Sequence, residues 1–186
     1  VQTCALPICD ARRALGRKDK RFSFEVFDCA KIPHKGCNFD LVIANHVLFY
    51  CEDIPAVCNE IQRVLVPGGK LICSTYGSHH MQEVSQLVQD FDNRIVLSAD
   101  RLYERFGREN GADILAPYFS DIFWESYNDS LLVPDAEPLI SYILSCHGNQ
   151  NQYLLDKYKD FRGFVSRKTK DGFFITKDAG IFLCEK

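Results

Sequence analysis

Three apolar segments separated by polar turns occupy residues 22–76, and they constrain the fold more than any other feature of this chain. The segments end at Asp28, Asn45 and Thr75. Alternation of such segments with a helical pattern and short turns predicts an α/β fold built on a parallel sheet. Ligands of open α/β sheets bind beyond the carboxyl ends of the strands. We therefore expect these three residues to mark one ligand-binding edge.

A helix is predicted between the second and third segments. Asp53 can cap its first turn, and Pro55 suits a position near the start of a helix. The apolar stripe that would pack on the sheet consists of Val57, Ile61, Val64 and Leu65. Pro67–Gly69 predicts the end of this helix and a reversal of the chain. The predicted strands around it are 22–28, 39–45 and 70–75.

The pattern changes after Gly77. Residues 78–120 form a long polar and aromatic insertion with helical periodicity, and insertions of this length are usually functional when ordered. Beyond it the sequence predicts a strand at 122–133 and helices at 136–145 and 153–168. Residues 172–184 predict either a pair of terminal strands or one bent strand. Residues 9–19 read as the end of a helix.

Composition excludes several classes of protein. The 186 residues suit one domain, and the net charge of −3 argues against a protein that binds nucleic acid mainly through phosphates. No apolar run approaches the ~20 residues that a membrane-spanning helix needs. Nine cysteines without a C-x-x-C motif support neither a disulfide framework nor a zinc site, so no metal is predicted. Reduced, buried thiols are the expected state, which favours a cytoplasmic location.

Three motifs in this order carry a family resemblance: VFDCAKIP, NFDLVIANHVL and EIQRVLVPGGKL. Together they resemble the middle of a class I S-adenosylmethionine-dependent methyltransferase. The similarity is greatest to the small-molecule branch that includes the ubiquinone and menaquinone biosynthesis type. The resemblance implies a Rossmann-like α/β sheet, mostly parallel with one antiparallel strand. It also implies that the insertion at 78–120 forms a lid over the acceptor substrate.

The resembled family begins with a glycine-rich turn of acidic-x-Gly-x-Gly pattern, and this sequence contains no Gly-x-Gly. We therefore expect residues 9–186 to be a partial methyltransferase domain that lacks the first two strands, with the glycine turn encoded upstream. Residues 1–8, VQTCALPI, resemble the translation of a sequencing adapter. The chain alone is then expected to bind S-adenosylmethionine weakly or not at all. Residues 22–28 should pair directly with 39–45 or lie detached from the sheet.

The resemblance also assigns roles to particular residues. Asp28 would accept a hydrogen bond from the adenine amino group, with the Cys29 backbone facing the ring. Asn45 and His46 would line the methionine and methyl region of the cofactor. The alternatives are a turn aspartate for Asp28 and a helix cap for Asn45. If the acceptor is a hydroxyl or an amine, His46 and His80 are the candidate general bases, the alternative being surface or capping histidines.

The expected activity is methyl transfer from S-adenosylmethionine to a small-molecule acceptor, without nucleic acid or membrane as a partner. One alternative is an RNA or protein methyltransferase, which the mild acidity disfavours. Another is a non-catalytic methyltransferase-like binding module. The acceptor and the oligomeric state are left open. Cys146 beside His147 does not predict a nucleophile, because neighbouring side chains on a helix point about 100° apart.

Overall fold

A computed structural model of the chain describes Arg13, residues 21–98 and residues 101–186. Four strands form one sheet in this part of the chain: β1 (Phe39–Asn45), β2 (Leu65–Tyr76), β3 (Ser120–Val133) and β4 (Phe173–Glu185). Their spatial order is β1-β2-β4-β3. β1 and β2 are parallel, and β4 runs antiparallel to both β2 and β3. Three strands therefore share one direction, which confirms the predicted sheet with a single antiparallel strand.

Seven α-helices and one short 3₁₀ helix (Leu48–Tyr50) accompany the sheet in the described residues. The α-helices are α1 (Ile54–Val64), α2 (Gln82–Phe91), α3 (Leu102–Arg105), α4 (Gly111–Leu115), α5 (Ala136–Ser145), α6 (Gln150–Leu154) and α7 (Tyr158–Lys168). No helix in these parts of the chain is both long and apolar enough to cross a membrane.

Helix α1 forms as predicted. The Asp53 side chain accepts a hydrogen bond from the backbone N–H of Ala56 at 2.9 Å, which satisfies a first-turn donor that has no partner within the helix. Val57, Ile61 and Val64 are at most 3% exposed. The apolar stripe therefore lies against the sheet.

The segment after α1 differs from the prediction. Pro67–Gly69 does not form a separate turn, because β2 begins at Leu65 and runs through it. The parallel register passes from Phe39 opposite Leu65 to Leu41 opposite Lys70, so the extra residues of β2 interrupt the regular pairing of the two strands. Gly68 has a φ of 75°, which a glycine adopts without strain.

Residues 22–28 were predicted as a strand, and this prediction is wrong. The segment pairs with no strand of the described residues, which matches the detached alternative. Three of its apolar side chains are well exposed: Phe22 at 43%, Val26 at 61% and Phe27 at 38%. A β-prone sequence forms a strand only beside a strand that exchanges backbone hydrogen bonds with it, and no strand of the described residues lies in that position.

The C-terminal half follows the prediction with one correction. The single helix expected at 153–168 is two helices, α6 and α7, separated by a turn in which the Lys157 N–H donates to the Leu154 carbonyl at 3.2 Å. Residues 173–185 form one strand, which is the second of the two predicted alternatives. The helix predicted at 9–19 and the adapter-like residues 1–8 lie outside the described residues, apart from Arg13.

Two apolar clusters form the core. The first lies between α1 and one face of the sheet, with Cys73, Phe106 and Phe182 at its centre. The second joins α2, α5 and α7 to the far ends of β3 and β4, around Phe161 and Ile175.

Candidate active site

An aromatic group lies at the carboxyl ends of the parallel strands β1 and β2. His46 directly follows β1, and its ring centroid lies 6.4 Å from that of Tyr76, the last residue of β2. His80 lies in the turn that follows β2, and its ring centroid is 5.1 Å from that of Tyr76. Phe49 and Tyr103 contact the Tyr76 ring at 5.5 and 6.4 Å. We call these five residues the rim cluster.

Ser74 fixes the turn that leads from β1 into the rim cluster. Its hydroxyl donates to Oδ1 of Asn45 at 2.5 Å and accepts from the backbone N–H of His46 at 2.9 Å. His46 has a φ of 51°, an uncommon conformation for a residue other than glycine. Asn45 does not cap the 3₁₀ helix, since Val47 holds that position. No role was predicted for Ser74, because its contact with Asn45 and His46 depends on the β1–β2 register.

His80 presents an unsatisfied nitrogen. Its Nδ1 is buried and has no hydrogen-bond partner among the described residues. Burial lowers the pKa of the imidazole, the charge of Lys177 lowers it further, and Asp178 opposes the shift. The pKa of His46 is also lowered, first by burial and then by Lys177. Both imidazoles are therefore neutral at neutral pH, and each retains a lone pair that can accept a proton.

A cavity of about 630 Å³ opens beside the rim cluster. Tyr76, His80 and Tyr103 line one side of it, and α2 and Tyr142 of α5 line others. Burial is the first cause of the raised pKa of Tyr76 and of Tyr142, so both phenols stay protonated and can donate hydrogen bonds. Tyr103 and Tyr142 were not singled out from the sequence, because they reach the cavity from distant segments.

Asp28 occupies a turn. Its Oδ1 accepts from the backbone N–H of Ala30 at 2.9 Å, and its carbonyl accepts from Lys31 N–H at 2.8 Å. The aspartate is exposed. These hydrogen bonds are those of an aspartate that stabilises a turn, which was the alternative role for Asp28. The second carboxylate oxygen has no hydrogen bond to any described residue.

Cys29 connects this turn to the loop that follows β1. A hydrogen bond from the Cys51 thiol lowers the pKa of Cys29 to about 6, although burial opposes the shift. The same contact raises the pKa of Cys51. The single thiol proton of Cys51 can also point to the Val47 carbonyl, 3.6 Å from its sulfur. The two loops that carry the candidate cofactor residues therefore meet at this pair of thiols.

The loop after Cys29 is held against α1 by an ion pair. Arg63 donates to the carbonyls of His34 at 2.8 Å and Ile32 at 3.0 Å, and it is paired with Glu60. Glu60 in turn accepts from the Ile32 N–H at 2.9 Å. This network holds the Asp28 turn beside the β1 edge.

The insertion at 78–120 is anchored to the same edge. The buried Thr75 hydroxyl donates to the Phe106 carbonyl at 2.7 Å. The N–H of Arg108 donates to the Tyr76 carbonyl at 3.2 Å, and the Arg105 guanidinium donates to the Cys51 carbonyl at 2.6 Å. These contacts place the insertion next to the rim cluster.

A second polar group lies behind the rim cluster. The side chains of His79, Glu109 and Asp178 approach within 4.8 Å of one another. Asp178 is paired with Arg108 at 2.8 Å, and Glu109 accepts from both the backbone and the hydroxyl of Ser78. The carboxylates are thus already engaged by protein donors, and the group functions as an ion-pair network.

Residues 4–73 match the family described as the methyltransferase domain. The bifunctional biotin biosynthesis protein BioHC of Saccharophagus degradans is 32% identical over 85 residues, which are 46% of this chain and 15% of that protein. A malonyl-[acyl-carrier protein] O-methyltransferase of a Methylovorus species is 31% identical over 71 residues, covering 38% of this chain and 24% of the relative. The family model and these relatives all point to the class I S-adenosylmethionine-dependent methyltransferases. The chain spans only 15% to 24% of the length of these two relatives.

Solved structures agree with the methyltransferase fold. A candidate methyltransferase from Bacillus halodurans superposes with a TM-score of 0.59 at 13% identity, over 97% of this chain and 79% of that one. At this identity the likeness concerns the fold. It supports the assignment of β1, β2, β4 and β3 to a Rossmann-like methyltransferase sheet. S-adenosylmethionine is the cofactor of this family.

Proposed function

We propose that the protein transfers a methyl group from S-adenosylmethionine to a small-molecule acceptor, with His46 and His80 as the candidate bases. One observation carries the proposal. Two neutral imidazoles converge with Tyr76 at the carboxyl ends of adjacent parallel strands, which is where open α/β sheets bind their ligands.

S-adenosylmethionine supplies a methyl group on a positively charged sulfur, and the leaving thioether is neutral. The protein therefore needs to hold the acceptor in line with the methyl group and to exclude water. Asp28 fits the adenine end, because one of its carboxylate oxygens has no bond to a described residue and can accept from an amino group. The Cys29 backbone follows in the same turn. Asn45 and His46 lie at the carboxyl end of β1, where we place the methionine portion of the cofactor.

A hydroxyl or amine acceptor must lose a proton, and this requires a base in the correct state. The buried Nδ1 of His80 has no partner among the described residues, so it can accept that proton without breaking an existing hydrogen bond. Its lowered pKa keeps it unprotonated at neutral pH. His46, on the other side of Tyr76, is the second candidate.

A small-molecule acceptor is favoured by the size and lining of the neighbouring cavity. Its volume of about 630 Å³ lies within the range of roughly 300–1,000 Å³ typical of small-molecule sites. Its lining combines aromatic rings with a few polar groups, among them Tyr103 and Tyr142. The relative named malonyl-[acyl-carrier protein] O-methyltransferase supports the same class of activity. In this proposal the insertion at 78–120 is the lid.

The experiment is a titration of the isotope-labelled chain with S-adenosylhomocysteine, followed by NMR, which also detects weak binding. We expect shifts of the His46 imidazole and of the Asn45 and Cys29 amides, while His147 stays unchanged. Asn45→Ala should reduce these shifts, and Asn38→Ala, an exposed asparagine before β1, should not. Because the chain alone is expected to bind weakly or not at all, the same titration is repeated on a chain extended upstream through the glycine turn. If no signal at this edge moves in the extended chain at millimolar ligand, cofactor binding by these residues is refuted.

A further inference from the structure

Two cysteines meet where the Asp28 turn contacts the loop after β1. Cys29 lies in that turn, and Cys51 ends the 3₁₀ helix, where its N–H donates to the Leu48 carbonyl at 3.0 Å. Both side chains pack in the first apolar cluster, and the Cys51 thiol donates a hydrogen bond to the Cys29 sulfur. The two sulfur atoms are therefore neighbours, although the residues lie far apart in the sequence.

The backbone on each side of this contact is held by other groups. The Arg105 guanidinium donates to the Cys51 carbonyl at 2.6 Å. On the other side, Oδ1 of Asp28 accepts from the Ala30 N–H at 2.9 Å and holds the turn that contains Cys29. Neither bond uses a sulfur atom. The thiols can therefore change their bonding while these interactions stay in place.

The pair carries one thiol proton at neutral pH, and this proton resides on Cys51. Its hydrogen bond to Cys29 lowers the pKa of Cys29 to about 6, whereas burial and the charge of Asp28 oppose the shift. The same hydrogen bond is the first cause of the raised pKa of Cys51. Cys29 is therefore mostly thiolate, which is the nucleophilic form of cysteine, and Cys51 is a neutral thiol beside it.

Several other thiols of the described residues are in the opposite state. Cys58, Cys73 and Cys184 are buried in the core, and burial is the first cause of the raised pKa of each. Burial also raises the pKa of Cys146. These thiols stay protonated at neutral pH, and protonated thiols react slowly with electrophiles.

We propose that Cys29 is a site of oxidation by hydroperoxides, and that Cys51 is the resolving cysteine that converts the oxidised sulfur to a disulfide. A thiolate beside a second thiol is an arrangement often found at oxidation-sensitive cysteines. The modification needs no cofactor, so it is independent of the proposed methyl transfer.

The reaction has two steps. In the first, the Cys29 thiolate attacks one oxygen of hydrogen peroxide: an S–O bond forms, the O–O bond breaks and hydroxide leaves. The sulfur loses two electrons to the peroxide and becomes a sulfenic acid. In the second step the Cys51 sulfur attacks the Cys29 sulfur. An S–S bond forms, the S–O bond breaks, and the hydroxyl group leaves with the Cys51 thiol proton as water.

Oxidation of Cys29 also prepares Cys51 for the second step. The hydrogen bond to Cys29 and the charge of the Cys29 thiolate both raise the pKa of Cys51. Both effects weaken once Cys29 is a neutral sulfenic acid. The charge of Arg105 lowers the pKa of Cys51, and this effect persists. Cys51 therefore releases its proton more readily after Cys29 has been oxidised, which fixes the order of the two steps.

The test is treatment of the reduced full chain with hydrogen peroxide at neutral pH, followed by proteolysis and mass spectrometry. We expect an intramolecular Cys29–Cys51 disulfide that forms ahead of any other cross-link and that dithiothreitol reverses. Cys37→Ser replaces an exposed thiol, and Cys146→Ser replaces a half-buried thiol with a raised pKa. Both are controls and should leave formation of the disulfide unchanged.

Single variants of the pair separate the two roles. Cys51→Ser keeps a hydroxyl donor for Cys29 but cannot form the disulfide, so the sulfenic acid should persist at Cys29, where dimedone traps it. Cys29→Ser should leave Cys51 with roughly tenfold less dimedone adduct, because even an ordinary thiol of pKa about 8.5 is only a few per cent thiolate at neutral pH. Far-UV circular dichroism checks that each variant is folded.

Three outcomes would overturn the proposal. The first is a folded chain in which peroxide leaves Cys29 unmodified. The second is a disulfide that joins Cys29 to a different cysteine or to another molecule instead of to Cys51. The third is equal trapping of Cys51 in Cys29→Ser and of Cys29 in Cys51→Ser, which would show that the two thiols do not have distinct roles.

Discussion

Burial lowers the pKa of both candidate bases, and the charge of Lys177 lowers each pKa further. This residue lies on β4 opposite Asp129 of β3, and it is partly buried. Its ammonium group disfavours protonation of both His46 and His80, and Asp178 partly offsets this effect at His80. Without this cation, more of each imidazole would be protonated near neutral pH, and a protonated imidazole cannot act as a base.

Replacing this cation should therefore raise two pKa values at once. We expect Lys177→Met to move the pKa of His46 and that of His80 upward, toward the ordinary histidine value of about 6.5. Lys177→Arg retains the charge and should preserve both pKa values. NMR titration of the imidazole signals measures them directly. Unchanged pKa values in Lys177→Met would show that burial alone sets the charge state.

The Cys29–Cys51 contact should be visible as thiol reactivity. With a pKa of about 6, Cys29 is mostly thiolate above that pH, so its alkylation by iodoacetamide should increase through pH 6 and level off at neutral pH. Cys51→Ala removes the hydrogen bond that lowers this pKa, and it should slow the reaction at neutral pH. Cys146→Ala, distant from the pair, should not. Mass spectrometry of the Cys29 peptide gives the rates.

At the scale of elements, α1 shows which features of a helix can be predicted from local sequence. Asp53, Pro55 and the apolar stripe specify its start and its buried face from the sequence, because capping and periodicity are local properties. The detached segment 22–28 shows the limit of such signals. Its composition favours a strand, but strand formation requires a neighbouring ladder, and local sequence does not supply one.

The cap of α1 can be tested by truncating the aspartate. Asp53→Ala removes the acceptor of the Ala56 N–H, and it should lower the free energy of unfolding by about 1 kcal/mol. Urea denaturation followed by circular dichroism measures this change. Glu52→Ala, at the exposed position just before it, is the control and should change stability little. Equal effects of the two substitutions would contradict the capping role.

At the scale of the whole molecule, a group of aromatic rings in edge and tilted contact joins the insertion to the sheet. The Phe182 ring of β4 lies between Phe106 and Trp124, at centroid distances of 5.9 and 4.7 Å. Gly111, at the start of α4, leaves room for the Phe182 ring, because the methyl group of any larger residue at this position would overlap that ring. The position of α4 is therefore set by β4, a strand more than 60 residues further along the chain.

Two glycine substitutions should have opposite effects on stability. Gly111→Ala forces Phe182 out of place and should cost roughly 1–3 kcal/mol of unfolding free energy, despite the better helix propensity of alanine. Gly163→Ala, in the interior of α7, meets no atom closer than 3.7 Å and should stabilise the chain by about 0.5–1 kcal/mol. Urea denaturation compares the two. Stabilisation by both would show that the core relaxes around Gly111.

Local sequence was enough to predict helix α1, most of the strand positions and the family that the chain resembles. These depend on spacing, capping and motif order, all of which act over short stretches. It also identified Asn45, His46 and His80 as residues at strand ends, although their proposed roles remain to be tested.

Which of these residues contact one another follows from the tertiary structure and not from local sequence. The contact of Ser74 with Asn45 and His46 depends on the β1–β2 register, and the influence of Lys177 on both histidines depends on β4 lying beside β2. Such contacts join residues far apart in the chain, so no local pattern encodes them.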